Sequence, residues 1–290
     1  MIYNLIAKII ARLLWLILWS LSLLPLRILY IFGDIFSWIL SHIMYYRSDV
    51  IDDNLDYSFP EKHSEELSII KKKYYLYLGE LLAEIIKSTS AGKNFYQNHL
   101  LIDEETLHIM RQLKHRNANI LILTGHIGNW EWAAKALSIH SPEIPVIIMY
   151  RPLSSLIFDR LIHLIRTSKH IILMNEKKIT LLKNVVKPTI VAMVPDQSPT
   201  GIRRIEWHQF LSQNTPFTSS PLRIAEILNA QSYYCNIIRL KRGLYKIHLS
   251  HITGGMGDYV QLLENNILQA PSTWLWSHKR WKINTTYNKK

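Results

Sequence analysis

The sequence predicts an α/β protein with a mixed, mainly parallel sheet flanked by helices and an N-terminal membrane-anchoring helical segment. From Asn119 onward, apolar runs of strand length alternate with helical patterns of about ten to fifteen residues, the pattern of βαβ units. A late stretch, "YYCNIIRLKRGLYKIHLS", predicts two antiparallel strands joined at "KRG", which makes the sheet mixed. The N-terminal segment is almost entirely apolar; its charged residues before Arg47 are Lys8, Arg12, Arg27 and Asp34.

The composition predicts a folded protein with a sizeable core and a basic surface. The chain has 290 residues, 48% of them hydrophobic, enough for one large domain or two small ones. A single cysteine, Cys235, excludes an internal disulfide framework and a zinc site built from several cysteines. The formal net charge of +12 predicts attraction to nucleic acid, an anionic bilayer, phosphorylated lipids or an acidic protein. We expect most basic side chains to be solvated at the surface. Arg203 and Arg204 are candidates to contact anionic headgroups or an acidic protein.

Residues 1–46 predict a membrane anchor. Their longest uncharged run, from Leu13 to Leu26, is shorter than the roughly 20 residues of a full helical span. Two other interpretations compete: a secretory signal peptide, for which no small-residue cleavage site follows, and a buried core helix. Interfacial tryptophans and tyrosines favour an uncleaved anchor, inserted in or lying on the bilayer, and Lys8 and Arg12 favour a cytoplasmic start. We therefore divide the chain into this anchor, 1–46, and a second domain, 47–290.

The second domain begins with a connector and a helix, and then strands alternate with helices. A polar stretch around Pro60 predicts the connector, and an amphipathic helix starts near Ser64. The predicted strands are "NILILT", "PVIIMY", "IILM" and "TIVAMV". The helices between them are "EWAAKALSI", "SSLIFDRLIHLIR" and "KKITLLKNVV". In such sheets, chemistry gathers at the carboxyl ends of the strands, so the loops after "NILILT" and "TIVAMV" are candidate sites.

The loop after the first of these strands, "TGHIGN", carries the strongest chemical pattern. Its glycines permit tight backbone geometry, and Asn129 is suited to cap the following helix. His126 lies in this turn and Glu131 on the first turn of the helix, so we expect the carboxylate to reach back and orient the imidazole. A histidine and a carboxylate without a nucleophile suit activation of a substrate hydroxyl or amine that attacks an acyl carbon.

This pair alone is weak evidence for catalysis. With 13 histidines in the chain, an H-x4-E pair will sometimes arise by chance, and a histidine at a strand end is commonly a capping or solvated residue. Zinc binding is disfavoured, because the spacing is not H-E-x-x-H and no downstream Cys or His has ligand spacing. On these residues alone, both the catalytic and the structural interpretation of His126 stay open.

Four segments that follow one another along the chain favour the catalytic interpretation of His126. They are "TGHIGNWEW", "YRPLSSLIFDRLIHLIR", "VPDQSP" and "PSTWLWSHKRWK". Together they resemble the late lipid A acyltransferases, the lauroyl/myristoyl acyltransferase family of bacterial inner membranes. The resemblance extends over most of the chain, including the apolar N-terminus and "NLDYSFPE". It implies a glycerolipid-acyltransferase-like fold and makes residues 47–290 the acyltransferase domain.

The resemblance also implies roles for individual residues. His126 matches the catalytic histidine of the family and Glu131 its acidic partner. Positions implied to bind substrate are Arg151, Asp159, Arg166 and Asp196. The implied donor substrate is a thioester of acyl carrier protein, the acceptor is a hydroxyl of a lipid A precursor in the membrane, and no cofactor or metal is needed. The implied location is the cell inner membrane, with the catalytic domain on the cytoplasmic face.

Departures from the family pattern leave two alternatives open. The family has Asn in the Ser154–Ser155 region, Gly at Ser220 and a carboxylate at Ser272. The same chemistry on a glycerophospholipid, an aminolipid or a glycolipid is therefore the first alternative. The second is a non-catalytic basic module that binds membrane or nucleic acid. That interpretation leaves the four segments unexplained, and no helix-turn-helix or RNP-like motif occurs, so we expect no nucleic-acid partner.

Overall fold

A mixed seven-stranded sheet forms the centre of the molecule. The computed structural model describes residues 2–200 and 204–283. The strands are β1 (Leu100–Ile102), β2 (Ile120–Leu123), β3 (Val146–Tyr150), β4 (Ile171–Asn175), β5 (Ile190–Met193), β6 (Ile205–Phe210), β7 (Gln213–Thr218), β8 (Gln231–Lys241) and β9 (Leu244–Ile252). Their order in the sheet is β1-β9-β8-β2-β5-β3-β4, whereas β6 and β7 form a separate hairpin. Only β8 and β9 pair antiparallel within the large sheet. The predicted fold class is confirmed.

Helices cover the sheet and extend beyond it at the N-terminus. The α-helices are α1 (Ile2–Ser22), α2 (Leu26–Trp38), α3 (Ser48–Ser58), α4 (Ser64–Lys87), α5 (Lys93–His99), α6 (Glu104–His115), α7 (Trp130–His140), α8 (Leu156–Arg166), α9 (Ser220–Leu228) and α10 (Met256–Gln269). A π-helical turn, Ile39–Ile43, continues α2, and 3-10 segments span Glu176–Asn184 and Pro271–Thr273.

The central strands are apolar on both faces because helices cover both sides of the sheet. All four residues of β2 are buried. Ile120 and Ile122 belong to one apolar cluster, and Leu121 and Leu123 belong to the other. Alternate side chains of a strand point to opposite faces, so a strand buried on both faces reads as a continuous apolar run. This is why "NILILT" predicts a strand without showing alternation.

The first two helices leave most of their apolar surface exposed. Leu13, Ile17 and Ile31 are each more than half exposed, which excludes the interpretation of this segment as a buried core helix. Two stretches, Tyr3–Ser22 and Leu26–Ile43, are long and apolar enough to cross a membrane. They indicate membrane anchoring. Because α1 lies along α8 and α2 lies along α4, the anchor is packed on the rest of the chain, and its division at residue 46 stays a prediction.

The structure departs from the predicted elements in three places. The polar stretch predicted as a connector contains helix α3. The segment "KKITLLKNVV" forms a 3-10 helix interrupted at Lys178 instead of an α-helix. The region after Asp196 contains the β6–β7 hairpin, where we expected a long loop. By contrast, α4 begins at Ser64 as predicted, where the backbone N–H of His63 donates to Glu66 Oε2 at 3.1 Å.

Candidate active site

The loop at residues 124–129 connects the end of β2 to the start of α7, and we call it the catalytic loop because it carries His126, the candidate base. Gly128 has a φ of +58°, and a Cβ there would lie 2.7 Å from Ile237 Cγ2, so both the backbone and the space require glycine. Asn129 Oδ1 accepts a hydrogen bond from the backbone N–H of Trp132 at 2.8 Å, which confirms it as the cap of α7. The hydroxyl of Tyr77 donates to the carbonyl oxygen of Gly128 at 2.6 Å. The loop is therefore fixed from both sides.

Sheet register brings His126 and Asp196 together. Leu123 of β2 pairs with Met193 of β5, and each functional residue lies three positions beyond its strand. Asp196 Oδ1 lies 2.5 Å from His126 Nδ1, and Asp196 Oδ2 accepts from the His126 backbone N–H at 2.7 Å. Asp196 therefore holds both the ring and the backbone of the histidine.

The electrostatics of this pair favour a basic Nε2 on His126, the ring nitrogen that does not face Asp196. Burial of Asp196 opposes its ionisation, but the charge of His126 and its hydrogen bonds, together with the Trp274 indole N–H, hold the pKa of Asp196 below its ordinary value. An ionised Asp196 accepts a hydrogen bond from the N–H at His126 Nδ1, which in the neutral ring leaves Nε2 as the nitrogen with a free lone pair. The His126 side chain is 18% exposed. Its Nε2 lies 3.4 Å from the side-chain amide nitrogen of Gln197.

The expected contact between Glu131 and His126 is wrong. Glu131 instead pairs with Arg166: the Arg166 Nε donates to Glu131 Oε2 at 2.7 Å, and its Nη2 donates to Oε1. The indole N–H of Trp130 also donates to Glu131 at 3.0 Å. The Trp130 ring lies edge-on to the His126 ring, 5.1 Å between centroids. The indole thus separates the histidine from the carboxylate that sequence spacing assigned to it.

A C-terminal wall, residues 271–281, closes the site from the other side. The Trp274 indole N–H donates to Asp196 Oδ2 at 2.9 Å, and Trp274 forms a backbone bridge with Ile127. His278 Nε2 accepts from the backbone N–H of Ser198 at 3.1 Å. Burial lowers the pKa of His278 to about 4, so its ring is neutral and able to accept. Sequence reasoning flagged this segment as a family motif but assigned no site residue to it.

Two of the remaining predicted substrate-binding residues, Arg151 and Asp159, do not join the His126 site. Arg151 lies at the surface and pairs with Glu176, with Nε and Oε1 2.6 Å apart. Asp159 accepts from the backbone N–H of Leu153 at 2.9 Å and so shapes the loop after β3. Arg166 is close to the site through Glu131, and Arg203 lies outside the described residues.

Within residues 2–200 and 204–283, no group of three or more His, Cys, Asp or Glu side chains is placed to hold a metal ion. The His126–Asp196 pair itself is suited to acid–base chemistry by protein side chains. A histidine with an ionised partner on one nitrogen and a lone pair on the other is able to remove a proton from a bound nucleophile and return it to a leaving group.

Comparison with protein families gives this site its context. The family model of bacterial lipid A biosynthesis acyltransferases matches residues 4–283, nearly the full chain, and both the catalytic loop and the C-terminal wall lie within the match. A search of curated proteins finds no significant match. The resemblance seen in four ordered sequence segments is thereby confirmed, and with it the expectation of an enzyme. The chain belongs to the bacterial lipid A biosynthesis acyltransferase family.

Proposed function

We propose that this acyltransferase moves a fatty acyl chain from a thioester of acyl carrier protein to a hydroxyl of a lipid A precursor. The observation that carries the proposal is the His126–Asp196 pair at the carboxyl end of the sheet, with the His126 side chain partly exposed, in a member of this family. The pair provides a base and an orienting group but no enzyme nucleophile, which suits direct attack by the acceptor oxygen.

In the proposed step, the acceptor hydroxyl gives its proton to His126 Nε2 while its oxygen attacks the thioester carbonyl carbon. The tetrahedral intermediate then collapses, the carbon–sulfur bond breaks, and the imidazolium returns the proton to the departing sulfur. The products are an ester on the acceptor and a free thiol on the carrier, so the reaction is balanced and needs no oxidant or reductant. Asp196 stabilises the imidazolium that forms between the two proton transfers.

We assign Glu131 a positioning role in this reaction. Its carboxylate holds the Arg166 guanidinium and the Trp130 indole, and that indole packs against the His126 ring. Arg166 carries a raised pKa because the attraction of Glu131 outweighs the effect of burial, so the pair stays ionised. The pair fixes α7 to α8 beside the reacting nitrogen.

The proposed place of reaction is the cytoplasmic face of the bacterial inner membrane. An amphiphilic acceptor stays in the bilayer, whereas the carrier protein is soluble and acidic, so the two substrates meet at the interface. The net charge of +12 supports this arrangement, since each basic residue near an anionic surface contributes about 1 kcal/mol of binding. The two apolar helices supply the attachment.

The deciding experiment measures lipid A and acyl transfer together. Mass spectrometry of lipid A from a deletion strain should show loss of one secondary acyl chain, restored by the wild-type chain and not by His126→Ala. The matched control is His108→Ala, because His108 is exposed on α6, away from the site. Purified enzyme should consume acyl carrier protein thioester only when the lipid acceptor is present. Near-normal turnover by His126→Ala would contradict the mechanism.

The alternative acceptors give a different result in the same experiment. If the departures at Ser155, Ser220 and Ser272 reflect another lipid, lipid A of the deletion strain stays unchanged and another acylated lipid disappears. A non-catalytic basic module predicts no thioester consumption at all, and DNA binding that persists at physiological salt would support it.

A further inference from the structure

Glu84, on α4, is a fully buried carboxylate that joins three parts of the fold. Its exposed fraction is 0%. Tyr30 of α2 donates its hydroxyl to Glu84 Oε1 at 2.8 Å, and Tyr245 of β9 donates to Oε2 at 2.8 Å. The third donor is the side-chain amide of Asn129, at 2.6 Å from Oε2. The proposed acyl-transfer step uses none of these groups, yet one of them belongs to the catalytic loop and another to the anchor.

Through Asn129, Glu84 determines how α7 begins. The Asn129 amide N–H₂ donates to Glu84, so its oxygen must face the other way, toward the Trp132 backbone N–H that it caps at 2.8 Å. The Trp132 indole N–H donates to the Glu84 carbonyl oxygen at 3.0 Å. Glu84 therefore fixes both the cap and the first turn of the helix that follows His126.

Through Tyr30, Glu84 is tied to α2, and α2 has little freedom to shift along α4. Gly33 and Gly79 meet at the crossing so closely that a Cβ on Gly33 would lie 2.4 Å from the Gly79 carbonyl oxygen. Arg242 bridges the same two helices, because its guanidinium binds Asp34 of α2 and Glu80 of α4. The close packing of α2 on α4 therefore fixes the position of the Tyr30 hydroxyl next to Glu84.

We propose that Glu84 is a positioning residue that couples the anchor helix α2 to the catalytic loop. With Tyr30, Tyr245 and Asn129 all bound to it, Glu84 holds the loop in the conformation that presents His126 to the acceptor. The effect on turnover rests on the proposed acyl transfer, whereas the effect on loop order does not. On this proposal α2 is part of the catalytic unit as well as part of the membrane attachment.

The kinetic test uses full-length enzyme and detergent-dispersed substrate, so that membrane attachment does not limit the rate. Glu84→Gln keeps the volume but sets an amide N–H₂ against hydroxyl and amide donors, and kcat should fall about tenfold with KM for both substrates unchanged. Tyr30→Phe removes one donor from a folded protein and should lower kcat about threefold, again without a change in KM. Tyr45→Phe, an exposed anchor tyrosine, is the matched control and should match wild type.

Hydrogen–deuterium exchange gives a second readout that does not need activity. Both variants should exchange the backbone N–H of Trp132 at least several-fold faster than wild type, whereas amides in β2 stay protected. A wild-type rate of exchange at Trp132 in both variants would overturn the coupling, whatever the enzyme proves to acylate. Unchanged kcat in both variants of an active enzyme would also overturn it. Absence of acyl transfer by wild type, with faster exchange in the variants, would refute the proposed function and leave the coupling supported.

Discussion

Two buried carboxylates flank the catalytic loop, and their pKa values move in opposite directions. Asp196 is 2% exposed and Glu84 is 0% exposed, so both lose the hydration that normally supports ionisation. The pKa of Asp196 is nevertheless lowered, whereas burial raises the pKa of Glu84 to about 7. Each accepts three hydrogen bonds, so the number of donors does not explain the difference.

The difference lies in the charge that the partners are able to carry. Asp196 faces His126, which becomes a cation when it takes a proton, while Glu84 faces two tyrosine hydroxyls and an amide, with Glu80 nearby as a second acid. Neutral donors lower the cost of a buried charge but do not remove it. The reacting side of the loop therefore has an ionised carboxylate, and the opposite side has one that can be neutral near physiological pH.

The largest effect should come from Asp196→Asn. An amide cannot accept from the His126 ring and also from the two N–H groups on its other oxygen, so the ring loses its orientation and its stabilising charge. We expect kcat to fall by up to about 10⁴-fold, the scale found when the aspartate charge of a catalytic triad is removed. Steady-state acyl transfer checks this, with exposed Asp53→Asn as the control. A fall below tenfold would mean that the charge of Asp196 is not needed.

The raised pKa of Glu84 should appear as a pH dependence of stability. The folded-state pKa of about 7 lies above the ordinary value of 4.5, so the folded protein binds this proton more tightly than the unfolded chain. The free energy of unfolding is then greatest below that ordinary value and decreases as the pH rises through about 7, by at most about 1.4 kcal/mol per pH unit.

Denaturant unfolding in detergent at a series of pH values measures this dependence. The side chain of Glu84→Gln cannot titrate, so the free energy of unfolding of this variant should decrease less steeply with pH than that of wild type. Identical slopes for the two proteins would show that Glu84 ionises normally and that neutral donors are sufficient to hold its charge. The comparison between the two carboxylates would then fail.

Glu131→Gln sharpens the comparison, because Glu131 also has a charged partner but does not touch His126. If a nearby ion pair were sufficient, this variant would be as damaging as Asp196→Asn. We expect a smaller loss, about tenfold in kcat, from a less ordered Trp130 and a freed Arg166. Single-turnover rates of acyl transfer measure both losses. Equal losses in Glu131→Gln and Asp196→Asn would indicate that Glu131 acts directly in catalysis.

The smallest effect should follow from Trp274→Phe, which removes one neutral donor from Asp196 and keeps an aromatic ring. A hydrogen bond to a charged acceptor contributes about 1.5 kcal/mol, so kcat should decrease roughly tenfold or less. The pKa of Asp196 should rise slightly, since one of the groups that lowers it is lost. A pH–rate profile extended toward acid detects that shift. The profile of Trp276→Phe, whose indole binds Pro271 instead, should not move.

The sequence identified the candidate histidine but not the carboxylate that it contacts. His126 was predictable because a Gly-bracketed turn after an apolar strand is a local pattern. Glu131 was assigned by the same local reasoning, which could not know that Trp130 intervenes. The carboxylate that binds the His126 ring in the structure is Asp196, and this contact depends on β2 and β5 being neighbours in register, a pairing of segments 70 residues apart. Sequence order alone does not determine which strands of a parallel sheet become neighbours.

Glu84 shows the same limit for a buried charge. Its spacing from Tyr77 and Leu81 places it on the apolar face of α4, but glutamate ordinarily faces solvent, so the residue type argues against the buried position that the helix face gives it. Its three donors come from α2, the catalytic loop and β9, and only the folded chain brings them together. The fold class, in contrast, follows from the strand and helix rhythm, because each element carries its own signal.

The contact between Trp274 and the catalytic loop also sets an order of events during synthesis. A ribosome makes α1 and α2 before the strands of the sheet, and at roughly 5–20 residues per second it adds Trp274 only after Asp196 and the catalytic loop. Until then, the nascent chain lacks both the indole donor to Asp196 and the backbone bridge to Ile127. We therefore expect translation to deliver the apolar helices to the bilayer before the enzyme can react, so that acyl transfer starts only at the membrane.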